Sequence, residues 1–183
     1  EVAYSYDPKK KIREVAFQGE GFFDVSKNKE PFVIKTAGGL NVRVWGTSFN
    51  LQAYTDDSVV QASLVEGCIE LESGKETLIM KPGEIAVFDK NTNKIKQVGG
   101  ILSHSYGWLD NKLYMEDMPL SIVCKYLERW YDVEITLQSG LGENIRYNGV
   151  IQEETVTDVM EALSRLSHIS YHVKGKHISI TSK

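Results

Sequence analysis

Three histidines, His168, His172 and His177, fall close together near the C-terminus and are the first residues to weigh for metal chemistry. Zinc needs its ligands converging from rigid elements at tight spacing, with further ligands brought in from elsewhere. Here His168 ends an expected helix while His172 and His177 fall on successive expected strands, so hairpin or surface histidines are the expectation. The acidic pairs Asp56-Asp57 and Glu153-Glu154 have the composition of acid–base or calcium groups. Each sits at a turn or just before a helix, where carboxylates serve as solvated loop residues or favour the helix dipole. Ser63 and Ser164 have no nucleophile-elbow context. Cys68 and Cys124 lie in different segments with no C-x-x-C spacing, and two free thiols are expected. No catalytic group, cofactor or metal follows from these residues.

A proline-glycine turn at Pro82-Gly83 is of the kind found in jelly-roll metal enzymes, but residues 1–100 contain no histidine to supply their ligands. The aromatics Trp45, Trp108, Trp130 and Tyr131 belong to types enriched at binding hot spots. Packing in the core or between domains is their expected role. A face for stacking sugars is the competing one.

The elements that must hold these residues change period along the chain. Between residues 40 and 88, apolar residues recur at every second position: Val42 and Val44, then Phe49, Leu51 and Ala53, then Val60, Ala62 and Leu64, then Ile69 and Leu71, then Ile85 and Val87. Period two marks strands buried on one face. Short strands with frequent turn signals predict an antiparallel sandwich or jelly-roll-like domain. Val15 with Phe17, Phe23 with Val25, and Phe32 with Ile34 extend the pattern upstream, and a further strand around Val2 to Tyr6 reads as an edge whose partner lies before it. The run from Gly99-Gly100 through Gly107 reads as a flexible joint, giving domains 1–104 and 105–183.

The second domain reads as two β-α-β halves of roughly 30 residues each. A strand near 112–115 precedes a helix begun at Pro119, with Leu120, Val123, Leu127 and Tyr131 on one face, and Val133 and Ile135 follow as a strand. A strand at 145–151, broken at Gly149, precedes a helix capped by Thr155 and Asp158 with a stripe of Val156, Val159, Met160, Leu163 and Leu166. A hairpin around Lys174-Gly175-Lys176 closes the chain. The class is therefore mainly β plus α+β. With 183 residues, 42% hydrophobic and 25% charged, the chain can bury a core without disulfides or metals. A net charge of −4 argues against nucleic acid. No run approaches the roughly 20 apolar residues of a membrane span, and no signal peptide is visible.

The ordered blocks GEGFFDV, PFVIKT, NVRVWGTSFNLQAY, LVEGCIEL and KPGEIAVF across residues 19–88 resemble the FecR-like anti-sigma factor family. Residues 108–135, WLDNKLYMEDMPLSIVCKYLERWYDVEI, are similar to that family's small C-terminal domain, itself similar to the short N-terminal domain of secretins and TonB-dependent receptors. The resemblance implies a non-enzymatic sensor. The family spans the inner membrane once, restrains an extracytoplasmic-function sigma factor with a cytoplasmic domain absent here, and reads the signalling domain of an outer-membrane TonB-dependent receptor in the periplasm. The receptor is expected to dock on the second domain by strand addition. The strand Arg146, Tyr147, Asn148, Gly149, Val150 and Ile151 is the expected edge, because Gly149 and short polar neighbours leave it weakly packed, and proline at Tyr147 or Val150 is expected to abolish docking while leaving the first domain folded. The rival is a periplasmic or secreted carbohydrate-binding sandwich with Trp45 or Trp108 as its platform.

Overall fold

The computed structural model describes residues 2–7 and 12–183. The chain divides into two compact units, Glu1–Tyr106 and Gly107–Lys183, each considered by itself.

Among the described residues the first unit has eleven strands: β1 (Val2–Asp7), β2 (Ile12–Phe17), β3 (Gly19–Val25), β4 (Phe32–Thr36), β5 (Asn41–Val44), β6 (Thr47–Ala53), β7 (Val59–Glu66), β8 (Ile69–Ser73), β9 (Glu76–Met80), β10 (Ile85–Asp89) and β11 (Lys94–Val98). They form a six-stranded sheet in the order β1-β2-β4-β5-β8-β9 and a five-stranded sheet in the order β11-β10-β7-β6-β3. Ile34, Val42, Val44, Ile69 and Leu71 from the first sheet share one buried cluster with Phe49, Leu51, Val60, Leu64 and Phe88 from the second, so the unit is a sandwich. The period-two pattern explains why: each strand sends alternate side chains into the shared layer.

Three details correct the sequence reading. The pairing of β2 with β4 is parallel, because β3 between them crosses to the other sheet, so the six-stranded sheet is mixed rather than antiparallel. In β10 the core-facing residues are Ala86 and Phe88, opposite Ala62 and Val60, and not Ile85 and Val87. All four are apolar, so alternation alone does not choose the face. The run taken as a flexible joint is instead ordered, as a 3-10 segment over Leu102–Asp110 that kinks at Tyr106. Within the first unit, Asn50 Nδ2 donates to the Ser105 carbonyl at 2.8 Å, and Tyr106 meets the Phe22 ring edge-on at 5.7 Å. Ser105 and Tyr106 thus lie against the outer face of β3, β6 and β7, where Asn50 is buried on the side away from the core.

The second unit runs β12 (Leu113–Pro119), α1 (Leu120–Tyr131), β13 (Glu134–Leu137), β14 (Arg146–Ile151), α2 (Val156–Leu166), β15 (Ile169–Lys174) and β16 (His177–Ser182). The two helix-bearing halves are present, but their strands separate: β12 pairs antiparallel with β14, and β13 joins β16 and β15 in a three-stranded sheet. A single core of Leu113, Leu120, Leu127, Tyr147, Met160 and Ile178 joins both sheets to both helices. Helix α2 starts on the expected capping box, with Thr155 and Asp158 bonded reciprocally. Its stripe ends early, since Leu166 is 74% exposed where the expectation placed it in the core. Ser167 is extended there and turns the chain into β15.

Candidate partner-binding surfaces

Strand β14 carries all six residues expected at a docking edge. Tyr147 and Ile151 point inward and are each 4% exposed, while Arg146, Asn148 and Val150 point out. The inward side is firmly held. The Tyr147 hydroxyl donates to Ser167 Oγ at 2.8 Å and lies 3.3 Å from the Leu163 carbonyl, and burial pushes its phenol above the usual tyrosine value. The premise of a weakly packed strand is therefore corrected, and a proline at Tyr147 would break the core as well as the edge. Gly149 does not break the strand, which is continuous from Arg146 to Ile151.

Outward, a β-bulge between Met115 and Met118 places Asp117 at a left-handed φ of 45°. Asn148 Oδ1 accepts from the Asp117 backbone N–H at 2.8 Å, and Arg146 Nε donates to Asp117 Oδ1 at 2.8 Å. Two of the outward side chains are thus spent on fixing the bulge, which leaves Val150, 47% exposed, as the outward apolar group of β14. In their sheet, β12 and β14 each have one strand neighbour.

The histidines do not converge. His172 lies opposite Ser179, and His177 lies opposite Lys174 with its Nδ1 3.0 Å from the Glu134 carboxylate. Among the described residues no group of three or more histidine, cysteine or acidic side chains is arranged to hold a metal ion. Asp56 and Asp57 sit in the turn after β6, which Lys90 Nζ ties down through the Tyr54 and Asp57 carbonyls at 2.6 and 2.5 Å. The Glu154 carboxylate accepts from the backbone N–H groups of Gln152 and Glu153 at 2.8 and 3.1 Å, and these bonds hold its pKa below the ordinary glutamate value. Ser164 Oγ donates to the Ile169 carbonyl at 2.8 Å, and Ser63 Oγ is buried. Both cysteines are free thiols, Cys68 exposed and Cys124 buried.

The tryptophans line two clefts, one in each unit. Trp45, 39% exposed, stands in a cleft of about 490 Å³ with Lys27, Lys29 and Cys68. Trp108 belongs to the second unit rather than the sandwich, and with Trp130 it lines a cleft of about 530 Å³ that also takes in Arg129 and Gln152. Spacing gave no signal for this second grouping, since its residues come from three separate segments.

Residues 112–180 match the family described as FecR, C-terminal. Over the whole chain the fold is similar to two crystal structures, each of a candidate anti-sigma factor from Parabacteroides distasonis ATCC 8503. The first has a TM-score of 0.88 and 26% identity, covering 100% of this chain and 86% of that one. The second has a TM-score of 0.87 and 26% identity, covering 98% and 84%. No curated protein matches. The second unit is thus similar to the FecR C-terminal family, and the fold of the whole chain is similar to that of the two anti-sigma factor structures.

Proposed function

We propose that this chain is the periplasmic sensor region of a transmembrane anti-sigma factor, and that it relays the state of an outer-membrane TonB-dependent receptor by protein–protein contact. The observation that carries the reading is the FecR C-terminal match over 112–180, which spans nearly all of the second unit. In the full-length protein a single membrane span joins this region to a cytoplasmic domain that holds the sigma factor. Among the described residues no helix is long and apolar enough to cross a membrane. The work of this region is contact rather than catalysis, with no cofactor and no nucleic acid.

The receptor's signalling domain docks on the second unit along β14, where main-chain pairing supplies affinity with little demand on side-chain identity. Val150 is the outward side chain to perturb, because Tyr147 and Ile151 hold the core. The test is a sigma-dependent reporter in cells carrying the full-length protein. Val150→Glu, which puts a charge into the docking face, is expected to block induction while leaving protein level unchanged. Full induction with Val150→Glu would remove β14 from the docking surface. Induction that survives deletion of residues 107–183 would remove the relay itself.

A further inference from the structure

The cleft of about 530 Å³ in the second unit is assembled from three short segments that are each fixed by local bonding. Asp110 ends the 3-10 segment, and Asn111 after it turns left-handed at φ 54° with its N–H donating to the Trp108 carbonyl at 3.1 Å. Arg129 and Trp130 lie on the last turn of α1, and Trp130 also packs against the second core. Gln152 and Glu153 follow β14 in the loop that the Glu154 carboxylate ties down. Trp108 and Arg129 are themselves engaged by neighbouring groups. The walls are therefore built before any ligand arrives, which lowers the ordering cost of binding.

The chemistry of the lining is specific. Two indoles line the cleft, and the negative π surface of an indole attracts the weakly positive C–H edge of a ring. Around them stand two carboxylates that only accept, a guanidinium that only donates, and the Asn111 and Gln152 amides that do both. A hydroxyl-rich ring uses all of these at once, because each hydroxyl is one donor and two acceptors. An apolar ligand would strip water from five polar groups without replacing it. An anionic ligand would meet Asp110 and Glu153 against the single charge of Arg129. The volume falls within the range of small-molecule sites. We propose that the cleft between Trp108 and Trp130 is a binding site for a neutral saccharide of one or two pyranose rings. The test of this site uses no partner protein, so its outcome is separate from that of the receptor-docking test.

The experiment titrates the whole chain with cellobiose, maltose and lactose to about 10 mM, the concentration regime of weak small-ligand affinity, and follows tryptophan fluorescence. A saturable change with at least one of them is expected, retained in Trp45→Phe. It should weaken at least tenfold in the double variant Asp110→Ala/Gln152→Ala, whose side chains are exposed and whose melting temperature should match the parent. No saturable change with any of the three sugars overturns the proposal. So does a change that survives the double variant, that disappears in Trp45→Phe, or that is produced by adenosine and by none of the sugars.

Discussion

Replacing Tyr147 by phenylalanine isolates what anchors β14 while keeping the ring that packs in the core. The hydroxyl it removes donates to Ser167 Oγ at 2.8 Å and approaches the Leu163 carbonyl at 3.3 Å from a residue only 4% exposed. One net hydrogen bond contributes roughly 0.5–1.5 kcal/mol, and the acceptor left behind in a buried site adds to the loss, so the cost should be about 1–2 kcal/mol. For a unit of this size that is about 5–10 °C in melting temperature. The phenol also has a pH signature. Its folded pKa is raised above the ordinary value of 10, chiefly by burial, so its contribution is complete below pH 10 and is lost as the pH climbs through the folded value. Calorimetry at neutral pH and at stepped alkaline pH reads both effects. Tyr147→Phe should lower the neutral melting temperature and flatten the alkaline decline of the second unit. An unchanged melting temperature, or an alkaline decline as steep as the parent's, would refute the anchoring role assigned to Tyr147.

Other outcomes follow from the same geometry. Burial, with a smaller push from Glu128, raises the Cys124 thiol from 9.0 to about 12, whereas Cys68 is exposed. Alkylation of the native chain at pH 8 should therefore add one label, on Cys68, and a second only after unfolding, as mass spectrometry would read directly. Gly46 sits at φ 141° with the position of a Cβ only 2.7 Å from the Lys27 Cα, a backbone atom that cannot swing aside. Gly46→Ala should cost at least about 1–2 kcal/mol, seen as a lower urea midpoint for the first unit, with the second unit unaffected.

The legible parts of the fold were those where one physical signal had a single reading. Alternation placed Phe49, Leu51, Val60 and Leu64 in the sandwich core, and helical spacing placed Leu120, Val123 and Leu127 in the second. Thr155 and Asp158 were found by capping chemistry, because that signal is local. Where the signal was degenerate the reading slipped. In β10 every residue from Ile85 to Phe88 is apolar, so the inward phase was decided by pairing with β7. Small and polar residues from Gly99 to Gly107 suggested a joint, yet Ser105 and Tyr106 gain an acceptor role and a ring contact from strands far away in sequence. The parallel pairs β2–β4 and β13–β16 were illegible for the same reason: strand order is set by long-range packing and leaves no local pattern. For the candidate surfaces, the residues of β14 are nameable from the sequence, but the burial of Tyr147 and its bond to Ser167 come from contacts that only folding makes. The Trp108–Trp130 cleft draws on three segments, and only folding brings them together.

The measurement that bears most directly on the central claim is calorimetric titration of this chain with the purified signalling domain of a TonB-dependent receptor from the same organism, paired with hydrogen-exchange mapping of the complex. The account predicts a saturable one-to-one complex, with new protection in the second unit centred on β14 and its neighbour β12. Absence of binding to every such signalling domain, or protection confined to residues 1–106, would contradict it.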